Sequence, residues 1–206
     1  MAVEDSFLTI LSPSEGLFKD RGSRFLGFAF PIKTERQARD LWQQLKELHP
    51  KAVHWCYAWR LSTGLSRSSD DGEPSGSAGK PILNVLLSRG LSNVLVVVVR
   101  YFGGTLLGVP GLINAYKMAT EAALDEAEVI TDYHTTSYQI TFPYESMNGV
   151  MRVIKEMELE IRNPVYEMTC QLEVDVRMAL EEEFLGKCSR AEGVHITPMK
   201  EQESEE

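Results

Sequence analysis

Three carboxylates, Asp70, Asp71 and Glu73, crowd the start of the stretch DDGEPSGSAGKPIL, residues 70–83, with Lys80 on its far side. Such a group could cradle phosphate, bind a cation or flank a nucleophile, and each chemistry demands its own spacing. A P-loop needs a glycine five positions before its Gly-Lys pair and a Ser or Thr after it. Pro74 and Pro81 hold those two positions, so the motif fails twice. A nucleophile elbow needs glycines two residues either side of the serine, and neither Ser75 nor Ser77 has both. An EF-hand loop needs oxygen ligands at alternating positions before its glycine, which Asp70-Asp71-Gly72 does not supply. What fits is a turn at Asp71-Gly72, stiffened by Pro74, that feeds a helix. Ser77 is the expected N-cap of that helix and Pro81 sits in its first turn, where a missing N–H costs little. The turn leaves the adjacent carboxylates unexplained.

The stretch RYFGGTLLGVPGLINAY, residues 100–116, offers a second chemistry. Backbone N–H groups freed at Gly103 and Gly104, close to a helix start, can form an anion site, with Arg100 and Tyr101 at its mouth. The plainer reading is that the glycines serve tight packing and left-handed turns. In HWCYAWR, residues 54–60, alternation puts His54, Cys56, Ala58 and Arg60 on one face and Trp55, Tyr57 and Trp59 on the other. His54 and Cys56 lack a third metal ligand, and no local signature marks a Cys–His hydrolase. No metal and no cofactor are expected. The aromatic face could stack bases or lie in the core, and alternation alone leaves both open.

The elements that must position these residues are mixed. Residues 24–30 read as a strand. Thr34 and Gln37 form a capping box for a helix with Ala38, Leu41, Trp42, Leu45 and Leu48 on one face, stopped by Pro50. NVLVVVVR does not alternate and is rich in Val, which predicts a strand buried on both faces. A small-residue helix runs from Gly111 to about Ala127. After a boundary near residues 129–135 come strands at TSYQITF, IRNPVYEM, CQLEVDV and VHITPM. A helix with Met147, Val150, Met151, Ile154 and Met157 on one face follows the first of these strands. A second helix, over 177–188, follows the third. The order βαββαβ is that of a ferredoxin-like domain. The expected organisation is α+β in two domains, residues 1–130 and 131–206, the second ending in a disordered EQESEE tail.

Charge divides along the same line. The chain carries a net charge of -9, yet residues 16–120 hold 14 Lys/Arg against 7 Asp/Glu. Residues 131–206 hold 7 against 16. The first half can face a polyanion and the second cannot. Three distant cysteines, Cys56, Cys170 and Cys188, form no CxxC pair, which argues against a disulfide framework. The acidic MAVEDSF start has no signal-peptide pattern, and the apolar run over residues 94–99 is too short to span a bilayer. A cytoplasmic protein without a membrane partner is expected.

Taken together, these stretches resemble the IMPACT family of translation-associated proteins, the bacterial YigZ type included. The resemblance rests on Ser23-Arg24-Phe25, on His54, Cys56, Ala58, Trp59 and Arg60, on DDGEP at 70–74, and on RYFGG at 100–104 with Leu107-Gly108. It covers about residues 17–125, and more weakly residues 136–200. It implies a first domain like elongation factor G domain IV and a small-subunit ribosomal-protein domain, and a ferredoxin-like second domain like domain V. It implies an RNA or ribosome partner and a role in regulating translation, with no sequence-specific reading of DNA. The family's eukaryotic kinase-restraining role uses an additional N-terminal domain and is not expected here. Where the family usually places a basic residue, this chain has Asn114.

The residues expected to meet nucleic acid or another anion are Arg24, Arg60, Lys80, Arg100, Tyr101, Gly103 and Gly104. His54, Asp70, Asp71, Gly72 and Glu73 complete the motif surface. The alternative is an enzyme, a hydrolase or phosphotransferase, acting on a small phosphorylated or peptide substrate. It would need a base or nucleophile near the glycine-rich corner, for which His54 and the carboxylates are the candidates.

Overall fold

Alternation, caps and small residues together build a mixed α and β chain with three sheets, seen in a computed structural model that describes residues 5–189 and 192–199. It divides into two compact units, Phe7–Asp132 and a second in which residues 5 and 6 join those from 133 onward. The EQESEE tail lies outside the described residues.

The first unit contains residues 7–10 of strand β1 (Ser6–Ile10) and residues 129–132 of strand β7 (Val129–Tyr133), which pair as a two-stranded ribbon. The main sheet takes β2 (Ser14–Asp20), β3 (Ser23–Pro31), β4 (His54–Arg60), β5 (Ser66–Ser69) and β6 (Val94–Tyr101) in the order β2-β3-β6-β4-β5, all neighbours antiparallel. Helix α1 (Glu35–Leu48) covers one face. Its predicted capping box is present: the Thr34 hydroxyl accepts from Gln37 N, and Gln37 Oε1 accepts from Thr34 N. Helices α2 (Gly79–Ser88) and α3 (Gly108–Asp125) cover the other face. Strand β6 lies between the layers. Val94, Val96 and Val98 enter the core with α2 and α3, while Leu95, Val97 and Val99 enter the core with α1. Burial on both sides is why its sequence does not alternate.

The small residues of α3 let it lie directly on the sheet. A Cβ on Gly27 of β3 would stand 2.3 Å from the Ala119 carbonyl oxygen, so glycine and alanine there set the spacing of the layers. Helix α3 begins at Gly108, three residues before the expected start, because Pro110 is accommodated in a first turn that needs no N–H from it. The aromatic face of β4 is turned inward under α1. Trp59 is buried, Trp42 of α1 meets Tyr57 edge-on at 5.7 Å, and Trp42 Nε1 donates to Trp55 O at 2.8 Å.

In the second unit, β8 (Thr135–Pro143), β9 (Ile161–Val165), β10 (Thr169–Arg177) and β11 (His195–Pro198) form an antiparallel sheet in the order β11-β8-β10-β9. Helices α4 (Met147–Glu156) and α5 (Glu181–Cys188) fill the two crossovers, so the chain order is βαββαβ. Tyr138, Ile140 and Phe142 of β8 and Cys170, Leu172, Val174 and Val176 of β10 point into one core with Val150, Val153 and Ile154 of α4. Met147, Met151 and Met157 pack half-buried against it as filler. The helix expected over 177–188 is a short 3-10 turn, Met178–Leu180, followed by α5. Among the described residues no helix is long and apolar enough to cross a membrane.

Candidate functional site

The DDGE loop leaves β5 through two left-handed residues, Asp71 with φ 40° and Gly72 with φ 87°, and Glu73 N closes the turn on Asp70 O at 2.9 Å. Each carboxylate then takes a separate task. Asp70 caps α2 from a distance: Oδ1 accepts from Ala78 N at 3.0 Å and Gly79 N at 2.8 Å, while Oδ2 accepts from Gly76 N at 2.8 Å. Burial works against the Asp70 charge, but the three backbone donors outweigh it and hold the carboxyl below its ordinary range. Ser77 is not the cap, since its hydroxyl donates to Pro74 O instead.

Asp71 pins the loop to β4, with Oδ2 accepting from Trp55 N at 2.8 Å and its carbonyl meeting His54 Nδ1 at 2.7 Å. Glu73 turns inward. Its side chain is 3% exposed, and Oε1 accepts from Arg100 Nη1 at 2.5 Å and from the Tyr116 hydroxyl at 2.7 Å. Oε2 lies 3.9 Å from His54 Nε2. The antiparallel register that sets His54 opposite Arg100 across β4 and β6 brings these groups together.

Cys56 extends the buried network without being a nucleophile. Its Sγ lies 3.0 Å from Asp70 O and 3.3 Å from the Tyr116 hydroxyl. Burial, aided by the carboxylates of Glu73, Asp71 and Asp70, pushes the thiol far above its ordinary value despite the Tyr116 contact. A thiolate is the reactive form, so Cys56 and His54 do not make a hydrolytic pair. Among the described residues no three His, Cys, Asp or Glu side chains gather as a metal site would require.

Above Glu73 and His54 opens a cavity of about 460 Å³. Its walls are apolar: Val53, Pro74, Phe102, Leu106, Val109 and Leu112. Arg100 also lines it, and its buried Nε has no hydrogen-bond partner. Size and lining are those of a binding cleft, with a few polar groups below an apolar mouth.

The glycine-rich corner is mostly committed to the fold. Arg100 is buried and matched by Glu73, so its charge is not presented to solvent. Tyr101 shares a hydrogen bond of 2.9 Å with His49 Nδ1. Gly103 N donates to Ser23 Oγ at 3.1 Å, and a Cβ on Gly103 would stand 2.0 Å from Gly22 C. Gly103→Ala is therefore expected to force the segment after β6 away from the β2–β3 turn at a cost of about 1–3 kcal/mol. Urea denaturation checks this. Gly104, exposed and with φ 88°, faces open space.

Of the remaining expected residues, Arg60 and Lys80 lie away from that corner and Arg24 stands at it. Arg60, at the other end of β4 from His54, donates to Leu91 O at 3.1 Å. Lys80 lines a groove with Asn84, Ser88 and Lys117 between α2 and α3. Arg24 is exposed and lies 5.1 Å over the Tyr101 ring. Sequence reasoning missed Tyr116, which its helical pattern could not separate from ordinary core. It also missed Phe102, Leu106 and Val109, whose signal was three large apolar residues in a glycine-rich connection.

The chain matches the model of the Impact N-terminal domain over residues 21–124. It is 30% identical over 187 residues to IMPACT family member YigZ of Escherichia coli (strain K12), spanning 89% of this chain and 92% of that one. It is likewise 30% identical over 173 residues to IMPACT family member YvyE of Bacillus subtilis (strain 168), spanning 83% and 80%. A solved crystal structure described as that of a hypothetical protein superposes with a TM-score of 0.72 at 29% identity, over 97% of this chain and 100% of that chain.

Proposed function

This chain belongs to the IMPACT family, and we propose that it is a translation-associated protein whose first unit holds RNA, free or ribosomal, at the basic end of its main sheet. The observation that carries the proposal is a row of three side chains across adjacent strands. Lys19 of β2 is in register with Arg24 of β3, which is in register with Tyr101 of β6. Directly opposed residues project to the same face. Lys19, Arg24 and Arg21 in the intervening turn are exposed, and among the described residues none of them is in an ion pair. The Arg24 guanidinium, held over the Tyr101 ring, is ordered before any ligand arrives and keeps its N–H edges for phosphate.

The second unit supports a different task. Residues 131–206 hold 7 Lys/Arg against 16 Asp/Glu, an excess of negative charge that would repel a phosphate backbone. Its βαββαβ order, with the first and third strands central, supports reading it as the ferredoxin-like domain that the family resemblance implies. The antiparallel sheet of the first unit supports the elongation-factor domain IV reading.

The test is anisotropy of single-stranded RNA bound by the full chain over a salt series. Lys19→Ala and Arg24→Ala should each weaken binding of all sequences alike and reduce the salt slope by about one, since each removes one phosphate contact. Arg60→Ala should leave binding unchanged. Equal binding by wild type and the Lys19 and Arg24 variants would refute the assignment.

A further inference from the structure

We infer that the cavity above Glu73 and His54 binds a small apolar molecule through one neutral acceptor oxygen, a carbonyl or a hydroxyl. This does not rest on the RNA reading, which uses Lys19, Arg24 and Tyr101. The inference starts from the donors of Arg100, which lines the cavity. Its side chain is 7% exposed, and Nη1 donates to Glu73 Oε1. Nε is buried and has no acceptor. Nη2, on the same edge of the planar group, has no acceptor among the described residues either, and it is not buried. That edge therefore opens on the cavity with its hydrogen bonds unmade. The rings of Phe25 and Phe102 flank the guanidinium at 5.4 and 5.7 Å, and neither brings an oxygen to it. Phe25 is fully buried, whereas Phe102 is 48% exposed, so the approach to the edge runs past Phe102. A buried donor left unmatched is a standing penalty, which an acceptor carried in by a ligand removes.

Charge selects the kind of acceptor. Glu73 already matches the Arg100 charge at 2.5 Å, so the edge calls for a lone pair and not for an anion. A carboxylate would stand beside the desolvated carboxylate of Glu73 and be repelled. An ammonium has only donors and would meet the donors of Arg100. A carbonyl or hydroxyl oxygen carries two lone pairs, one for Nε and one for Nη2. The selection is the same for either charge state of His54. In both, Nδ1 donates to Asp71 O, and the ring accepts nothing from Arg100.

The body of the ligand follows from the walls. Leu106, 80% exposed, and Val109, 46% exposed, stand at the mouth with Phe102, while Leu112 is buried behind them. Apolar side chains held open above a polar floor gain by closing on an apolar group. A volume of about 460 Å³ is that of a small-molecule site.

Four compounds that share one branched aliphatic body test the site: isocaproamide, isohexanol, isocaproate and isohexylamine. Each is titrated into the full chain at about pH 8, where an ordinary histidine is neutral, and amide chemical shifts around Arg100 are followed. The amide or the alcohol should bind at millimolar concentration. The amine should bind about tenfold or more weakly, since it brings a donor where an acceptor is needed. The carboxylate should be weakened as well. The tighter of amide and alcohol tells carbonyl from hydroxyl chemistry, and either supports the inference. Arg100→Lys keeps a charge for Glu73 but removes the Nε edge, so binding of the neutral compound should fall several-fold. Since that change touches the core, Leu106→Ser serves as the second variant: the position is exposed, so the melting temperature should hold while binding falls several-fold. The inference is overturned if the amine or the carboxylate binds as tightly as the neutral compounds, or if none of the four binds at millimolar concentration. It is equally overturned if Leu106→Ser, or Arg100→Lys with an unchanged melting temperature, binds as wild type does.

Discussion

Replacing Glu73 by alanine should destabilise the first unit by about 3–5 kcal/mol, the largest effect expected of any surface-loop substitution in this chain. The residue belongs to a loop by sequence and to the core by position. Its loss would leave Arg100, 6% exposed and already carrying a buried Nε without a partner, as an uncompensated charge. The Tyr116 hydroxyl would lose its acceptor at the same time. A melting temperature lower by roughly 10 °C or more should follow. The pair itself contributes far less than its breakage costs, because both charges were taken out of water to form it. The double variant Glu73→Leu with Arg100→Met should therefore recover most of the lost stability. Calorimetric melting of the wild type, the single variant and the double variant decides the matter. A single variant that melts within a degree or two of wild type would mean that the pair is hydrated in solution.

What the sequence made legible, and what it hid, follows from the range of each interaction. The capping box of Thr34 and Gln37 spans three residues, and the run of valines in β6 reports its own burial. Both were readable because the signal and its cause share one segment. The loop was recognisable as a turn for the same reason. Its capping residue was not, because Asp70 reaches donors at Gly76, Ala78 and Gly79, beyond the three-residue spacing that marks a local cap. The Glu73–Arg100 pair was hidden more deeply. Nothing in either segment states the register of β4 against β6, which decides that Arg100 faces inward to meet the loop. Edge strands escaped for another reason. β2 reads SEGLFKD and β5 reads SRSS, and an edge strand with solvent on one side needs little apolar alternation to form. The Lys19, Arg24 and Tyr101 row depends on β2 and so was invisible with it.

Asp70→Ala should cost about 2–4 kcal/mol, since it removes a charged acceptor from three backbone donors at the start of α2. The sign of its pH dependence is fixed by the same contacts. Burial raises the carboxyl, but the N–H groups of Gly76, Gly79 and Ala78 prevail and lower it in the folded state from its ordinary value of 3.8. A folded-state value below the unfolded one means that folding favours the ionised form. The contribution is therefore fully present above about pH 4 and is lost as pH falls from there through the lowered folded-state value. The difference in unfolding free energy between wild type and Asp70→Ala should be constant from about pH 5 to 7 and should narrow below about pH 4. Asp70→Asn keeps one acceptor oxygen without a titrating group. It should recover part of the stability and add no pH dependence of its own. Guanidinium denaturation of the three proteins at pH 7, 5, 4 and 3 measures each of these quantities. A gap that stays constant down to pH 3, or an Asn variant no better than Ala, would show that Asp70 does not act as an ionised cap. Ser77 would then have to be tested in its place.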